Sequence, residues 1–342
     1  MNKRFLAIAI AAGLAVSSNV MADGAEIYGV AHVSVNSISA DSGASAIDAT
    51  TVSSNNSRLG VKGSEDLGGG LKAVYKMEFG VDLADKAGDA CDNDPGCDTF
   101  AKTFANGNLI ARNQYVGLSG GMGTVLLGRH DSPTKMVQGK FDIFNDTIAD
   151  MKQVVDGEIR YDNSVTYFSP KMGGMQMIAQ LLPGEGLYFG TGCTPCDGIA
   201  DGASLSFTYE AGPLYVGLGI DTGDLVADDM RLIATYNMDA LAVGFIYNTR
   251  SDSAYSATDL VNDEKAMGLS AKYAMGDNAV KLQYIQVSDQ SGIANNDATA
   301  TTLGYDMNLS ARTTAYALYN MYSPDASNTD ITTMSVGISH SF

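Results

Sequence analysis

Seven basic residues recur in one part of the chain: Arg58 and Lys62 in SRLGVKGSEDLGGG, Lys72 and Lys76 in LKAVYKMEFGV, Arg112 in ARNQYVGLSGG, Arg129 in TVLLGRHD and Arg160 in RYDNS. Between the last two, Asp142, Asp146 and Asp150 fall four residues apart, a spacing that puts three carboxylates on one face of a short helix. Cations fixed on one wall with carboxylates opposite would set a transverse field, by which a wet passage discriminates ions. Such a field needs no nucleophile, proton relay or metal.

Other chemistries find less support. His32, His130 and His340 lie far apart without ligand spacing, and no convincing nucleophile elbow, P-loop or dinucleotide motif appears. The reading is therefore a non-enzyme with no catalytic residues, no cofactor and no metal centre. The cysteines form two close pairs, Cys91 with Cys97 in CDNDPGC and Cys193 with Cys196 in CTPC. In an exported chain these read as two local disulfides. A Cys-x-x-Cys redox site lacks its βαβ context, and a four-cysteine zinc site needs two loops to meet. Asp89, Asp92, Asp94 and Asp98 crowd the first pair. They read as solvated acid, with loop-bound Ca²⁺ as the alternative, although the spacing is not that of an EF-hand.

The elements that must position these residues follow from the ends and the pattern. Residues 1–22, MNKRFLAIAIAAGLAVSSNVMA, read as a signal peptide, with Lys3 and Arg4 before an apolar run and cleavage after Ala22. Residues 23–342 then form one domain. The chain holds 39 Asp and Glu against 21 Lys and Arg, two of the latter in the leader, so the exported part carries about −20. That charge opposes any nucleic-acid partner and favours cations.

Past the leader, no apolar run approaches the roughly 20 residues of a spanning helix, but alternation is almost everywhere. In LKAVYKMEFGV, Leu71, Ala73, Tyr75, Met77, Phe79 and Val81 make one face, and Lys72, Val74, Lys76, Glu78 and Gly80 the other. A period of two is a strand, and three charges on one face require water or partners there. Short connections (65–70, 119–123, 169–174, 210–213, 237–240, 274–278, 306–310) mostly alternate with long polar ones, among them 37–56, 82–107 and 131–161. Sixteen strands connected in this way predict an all-β fold, an antiparallel transmembrane β-barrel with two unlike ends. A soluble sandwich or β-helix is the rival. The last residues, SVGISHSF, put Val336, Ile338 and Phe342 on one face. In hydrocarbon no strand edge can stay unpaired, so this strand is expected to pair with AEIYGVAHVSV near the start.

By parity Arg58 and Lys62 share one polar face and Lys72 and Lys76 the next. Arg112 has the parity of the apolar Val116 and Leu118, and Arg129 that of Val125 and Leu127, so these two sit either at a bulge or on an outward, subunit-facing position. Asp142, Asp146 and Asp150 belong to loop 131–161.

SRLGVKGSEDLGGGLKAVYKMEFG (57–80), QYVGLSGGMGTVLLGR (114–129), RYDNSVTYFSPKMGGM (160–175) and the closing SVGISHSF resemble the general porins of Gram-negative bacteria, in the Neisseria and β-proteobacterial branch; the loops match poorly. The resemblance implies a trimeric outer-membrane barrel of sixteen strands per subunit, with its third extracellular loop folded into the lumen. It also implies wall basic residues facing acidic loop residues across a constriction, here Arg58, Arg112, Arg160, Arg129, Lys76 and Lys62 against Asp142, Asp146 and Asp150. Phe342 is expected to serve as the signal read by the barrel-assembly machinery, and lipopolysaccharide to surround the barrel. The function implied is passive diffusion of small hydrophilic solutes and ions; a substrate-specific channel and a barrel acting mainly as adhesin or anchor are the alternatives. Family members of this branch often prefer anions, but the acidic balance of this chain, concentrated in mouth loops, points to a weak cation preference.

Overall fold

The computed structural model describes residues 24–41, 47–84, 109–185, 196–251, 263–325 and 329–342. The predicted signal peptide, Cys91, Cys97, Cys193 and the acidic cluster from Asp89 to Asp98 lie outside the described residues.

Alternation produces strands throughout: β1 (Glu26–Asp41), β2 (Ile47–Ser54), β3 (Arg58–Gly68), β4 (Leu71–Val81), β5 (Leu109–Gly120), β6 (Gly123–Asp131), β7 (Arg160–Phe168), β8 (Met175–Leu182), β9 (Gly202–Ala211), β10 (Leu214–Gly223), β11 (Asp228–Met238), β12 (Leu241–Ser251), β13 (Glu264–Met275), β14 (Asn278–Ser288), β15 (Ala298–Ser310), β16 (Thr313–Pro324) and β17 (Asp330–Ser341). From β3 onward each pairs antiparallel with the next. The ring closes where β17 meets β1, from Val30 opposite Ser341 to Asp41 opposite Asp330. On its other edge β1 pairs with β2 along Val33–Ala40 and with β3 along Glu26–Val30. β2 and β3 are thus halves of one stave, and the closed barrel has sixteen.

That stave corrects the reading of residues 37–56 as a long loop. The segment is rich in Ser, Thr and Asn, so it looks like loop, yet it keeps the alternation. Its inward polar groups satisfy one another: Asn36 Nδ2 donates to Thr51 and Ser53, and its Oδ1 accepts from Ser34 and Ser335.

The outer face is apolar and exposed, for example Leu232, Leu269, Leu282, Leu303, Val336 and Ile338, and Tyr209, Tyr236 and Tyr273 stand near the short turns. An oily band with an aromatic girdle is what lipid selects on a barrel. Phe342 completes the seam: its N–H donates to the Gly29 carbonyl and its carbonyl accepts from Gly29 N–H, both at 3.0 Å. A Cβ on Gly29 would come within 2.4 Å of the Phe342 ring, so only glycine lets the ring lie against the strand.

The loop between β6 and β7 turns inward. It opens with a single helical turn, α1 (Pro133–Met136), capped by Ser132 Oγ accepting from Lys135 N–H, with proline in its first turn. Loop residues Val137, Phe141, Met151, Val154 and Val155 then pack with Ile233, Ile246, Ala266, Ile285, Val287 and Ala300 on the inner faces of β11 to β15. Further along, Phe144 and Ala149 pack with Tyr316 and Leu318 of β16. Burying Phe141, Phe144 and Met151, each essentially inaccessible, favours docking by about 1.5–3 kcal/mol apiece. Glycines make room for close approach: a Cβ on Gly219 would lie 2.6 Å from Thr134 Cα, and one on Gly304 2.5 Å from the Phe144 ring. The loop therefore covers the β10–β16 side of the bore and leaves the β3–β5 wall opposite it.

Candidate channel constriction

The uncovered wall is basic and built around a carboxylate. On β4, Lys76 and Glu78 point inward while Met77 points out. Opposite them the register slips between Met77↔Gln114 and Phe79↔Ala111. This bulge carries Arg112 off the parity of Val116 and Leu118 and onto the inner face. Arg112 Nε lies 2.9 Å from Glu78 Oε1, while Glu78 Oε2 accepts from Tyr28 Oη at 2.8 Å and sits 3.0 Å from Lys76 Nζ. Glu78 is only 4 % exposed, so its charge is met by a shared set of donors. The sequence reading missed it as a site residue, although its parity with Lys72 and Lys76 was visible. Lys62 lies toward the short-turn end, about 13 Å along β3 from Arg58, with Nζ 3.3 Å from Glu26 and 5.0 Å from the Tyr28 ring centroid.

Of the three loop aspartates, one reaches this wall. Arg58 Nη1 and Asp146 Oδ2 are 2.6 Å apart, and Arg58 also donates to the Asn56 carbonyl at 3.1 Å. Asp146 sits at φ 61°, a conformation that Asp tolerates better than most residues. Asp142 and Asp150 do not share its face, which corrects the four-residue helical spacing. Residues 142–150 run as successive turns, where aspartate caps backbone N–H groups. Asp150 accepts from Lys152 N–H at 3.0 Å and Asp146 N–H at 2.9 Å, and Asp142 from Phe144 N–H at 3.2 Å and Met151 N–H at 3.3 Å.

The remaining arginines separate. Arg160 Nε lies 3.0 Å from Asp131 Oδ1, which also meets Lys135 Nζ at 3.0 Å, so Arg160 ties the two feet of the loop together beside the wall. Arg129, expected on the basic wall, does not join it: it keeps the outward parity of Val125 and Leu127 and pairs with Asp162. The irregularity there lies on β7, where Asp162 and Asn163 stand between Tyr161 and Ser164 while β6 supplies one residue, and Asn163 takes φ 51°.

Polar residues of the opposite wall, unremarked in the sequence, fix the loop's ends. Asp221 of β10 accepts from Thr134, Ser204 and Tyr161. Arg231 of β11 is fully buried and donates to Asn248 Oδ1 at 2.8 Å, to the Asp156 carbonyl at 2.8 Å and to Glu158. Inward Ile233, Ile246, Ile285 and Val287 were the available signal, being apolar at polar-face positions.

Burial pushes the Asp142 carboxyl well above the ordinary range, and the carboxylates of Asp150 and Glu158 push the same way. A carboxyl raised by docking takes up a proton on docking. Its penalty is absent below the undocked value and grows as pH rises through the docked one. Asp142→Asn keeps one of the two acceptors, so it is expected to cost about 1 kcal/mol in acid and to flatten the loss of stability toward alkaline pH. Thermal unfolding in detergent from about pH 4 to about pH 8 checks this.

Comparison with known proteins agrees with this architecture. A family model described as Gram-negative porin matches residues 7–327. Outer membrane porin protein 32 of Delftia acidovorans is 29 % identical over 336 residues, covering 92 % of this chain and 88 % of the relative. The major outer membrane protein P.IB of Neisseria gonorrhoeae is 33 % identical over 132 residues, 37 % of this chain and 32 % of the relative. Among solved structures, the anion-selective porin from Comamonas acidovorans superposes with a TM-score of 0.69 at 25 % identity, covering 93 % of this chain and 99 % of that one. A closed sixteen-stave barrel with an oily skin, a polar bore and these relatives places the chain in the Gram-negative outer membrane, as a member of the Gram-negative porin family.

Proposed function

We propose that this porin passes small hydrophilic solutes and ions by diffusion, with a constriction where Asp146 of the inward loop reaches the wall of Arg58, Arg112, Glu78 and Lys76, and with a weak preference for anions. The carrying observation is local charge: Arg58, Lys62, Lys76, Arg112, Lys135 and Arg160 face Glu26, Glu78, Asp131, Asp146 and Glu158, six cations to five carboxylates. The cation preference read from net charge finds no support. Charge in mouth loops is screened within about 8–10 Å, whereas the sign at the narrowest ring acts on every passing ion, and a relative of similar fold is described as anion-selective. The reversal potential across a salt gradient in a planar bilayer tests the sign: an anion-selective value is expected, and a cation-selective one contradicts the proposal.

Assembly as a homotrimer, contact with lipopolysaccharide and recognition of Phe342 by the barrel-assembly machinery belong to the same proposal, on the family resemblance. So do the disulfides Cys91–Cys97 and Cys193–Cys196; Cys196 is buried and disulfide-bonded.

A further inference from the structure

The C-terminal root of the inward loop, Asp156–Glu158, rests on a row of inward residues at one height of the wall. Register sets Asp229 of β11 opposite Asp221 of β10 and opposite Arg250 of β12, and Arg250 opposite Glu264 of β13. Glu264 accepts from Asp156 N–H at 3.2 Å and from Ser291 N–H at 2.8 Å, Asp221 has the three hydroxyl donors named above, and Arg231 spans Glu158, Asn248 and the Asp156 carbonyl. Asp229 differs from all of these. It is 4 % exposed, and neither carboxylate oxygen has a hydrogen-bond partner among the described residues. A Cβ on Gly157 would fall 2.3 Å from Asp229 Oδ2, so the loop backbone is laid directly over the carboxyl.

An ionised carboxylate sealed from water without a donor is costly, and such a group neutralises instead. Its surroundings do not reverse that. The charged groups facing it are Asp221, Arg231, Arg250, Glu264, Asp156 and Glu158, with Lys135 3.8 Å from Glu158 and Tyr161 bonded to Asp221. Carboxylates outnumber the cations, and Arg231 is engaged by Glu158. Among the described residues no three His, Cys, Asp or Glu side chains are grouped to hold a metal ion, while a proton needs no further ligands.

We propose that Asp229 carries a proton taken from bulk water while the loop is docked, which makes the loop root a proton-dependent latch. When the root lifts, Asp229 meets lumen water and the proton returns to bulk. Docking is then favoured toward acid. It weakens as pH rises through the docked-state value, by up to about tenfold in the docked-to-lifted ratio per pH unit for one proton. The gating consequence rests on the diffusion reading above; the protonation does not.

The test compares the full-length wild type in detergent with Asp229→Asn, and with Asp229→Ser should the first fail to assemble. Near neutral pH the infrared carbonyl stretch of a protonated carboxylic acid is expected to be weaker in the variant by one group, because Asp142, Asp221 and Glu264 contribute equally to both samples. In planar bilayers, wild-type current fluctuations are expected to grow with pH and those of the variant to grow less steeply, by the share that Asp142 alone contributes. An unchanged infrared band overturns the latch whether or not the barrel conducts, and a lost band with identical pH dependence of the current overturns its gating role.

Discussion

Replacing Arg231 by Met is expected to release the loop root from the wall at a cost of about 3–5 kcal/mol, the range for removing one partner of a buried pair. Arg231 is fully buried, and three separate groups depend on it: the Glu158 carboxylate, the Asn248 amide and the Asp156 carbonyl. Methionine fills the volume but leaves Glu158 without that partner under the loop. The barrel itself should still form, since β11 keeps its ladders to β10 and β12. Single-channel currents are expected to become larger and noisier than wild type. Arg231→Lys should fall between, because a single ammonium cannot reproduce the planar fork. Quiet, wild-type currents from Arg231→Met would mean that the apolar clusters alone hold the loop.

The double change Arg58→Ser with Arg112→Ser is expected to shift selectivity toward cations. It removes the ion-pair partner of Asp146 and one of those of Glu78 and leaves both carboxylates in place. Two unit charges about 10 Å from a passing ion contribute roughly 1–3 kcal/mol between wet and half-wet dielectric. That corresponds to about a five- to hundredfold change in relative permeability. The shift should shrink at high salt, where the Debye length falls to about 3 Å at 1 M. Reversal potentials at two ionic strengths check both statements.

How much of this was legible in the sequence depends on whether the signal was local. Alternation is local, so the strand pattern of LKAVYKMEFGV, the short turns and the closing of SVGISHSF on the first strand could be read directly. The continuation of β1 and β2 was hidden, because serines and asparagines that satisfy one another across strands look like loop residues singly. Arg112 and Arg129 show the limit of parity counting. Both sit at register slips, but at Arg112 the two-residue side of the slip is its own strand and turns it inward, whereas at Arg129 it is the partner strand and leaves it outward. Asp142 and Asp150 were misplaced because a spacing of four carries meaning only on a helix, and successive turns replace one there. Asp229, Arg231 and Glu264 act through a loop some 70 to 110 residues away in the chain, which no local pattern encodes.

Conduction past the constriction depends on whether the Arg58–Asp146 pair lies across the bore. The direct measurement is single-channel current through Asp146→Cys before and after a bulky, water-soluble thiol reagent enters from the bath, with wild type as control for the native cysteines. A stepwise fall of the current to a small residual is predicted in the variant alone; full modification by mass with undiminished current would place the passage elsewhere.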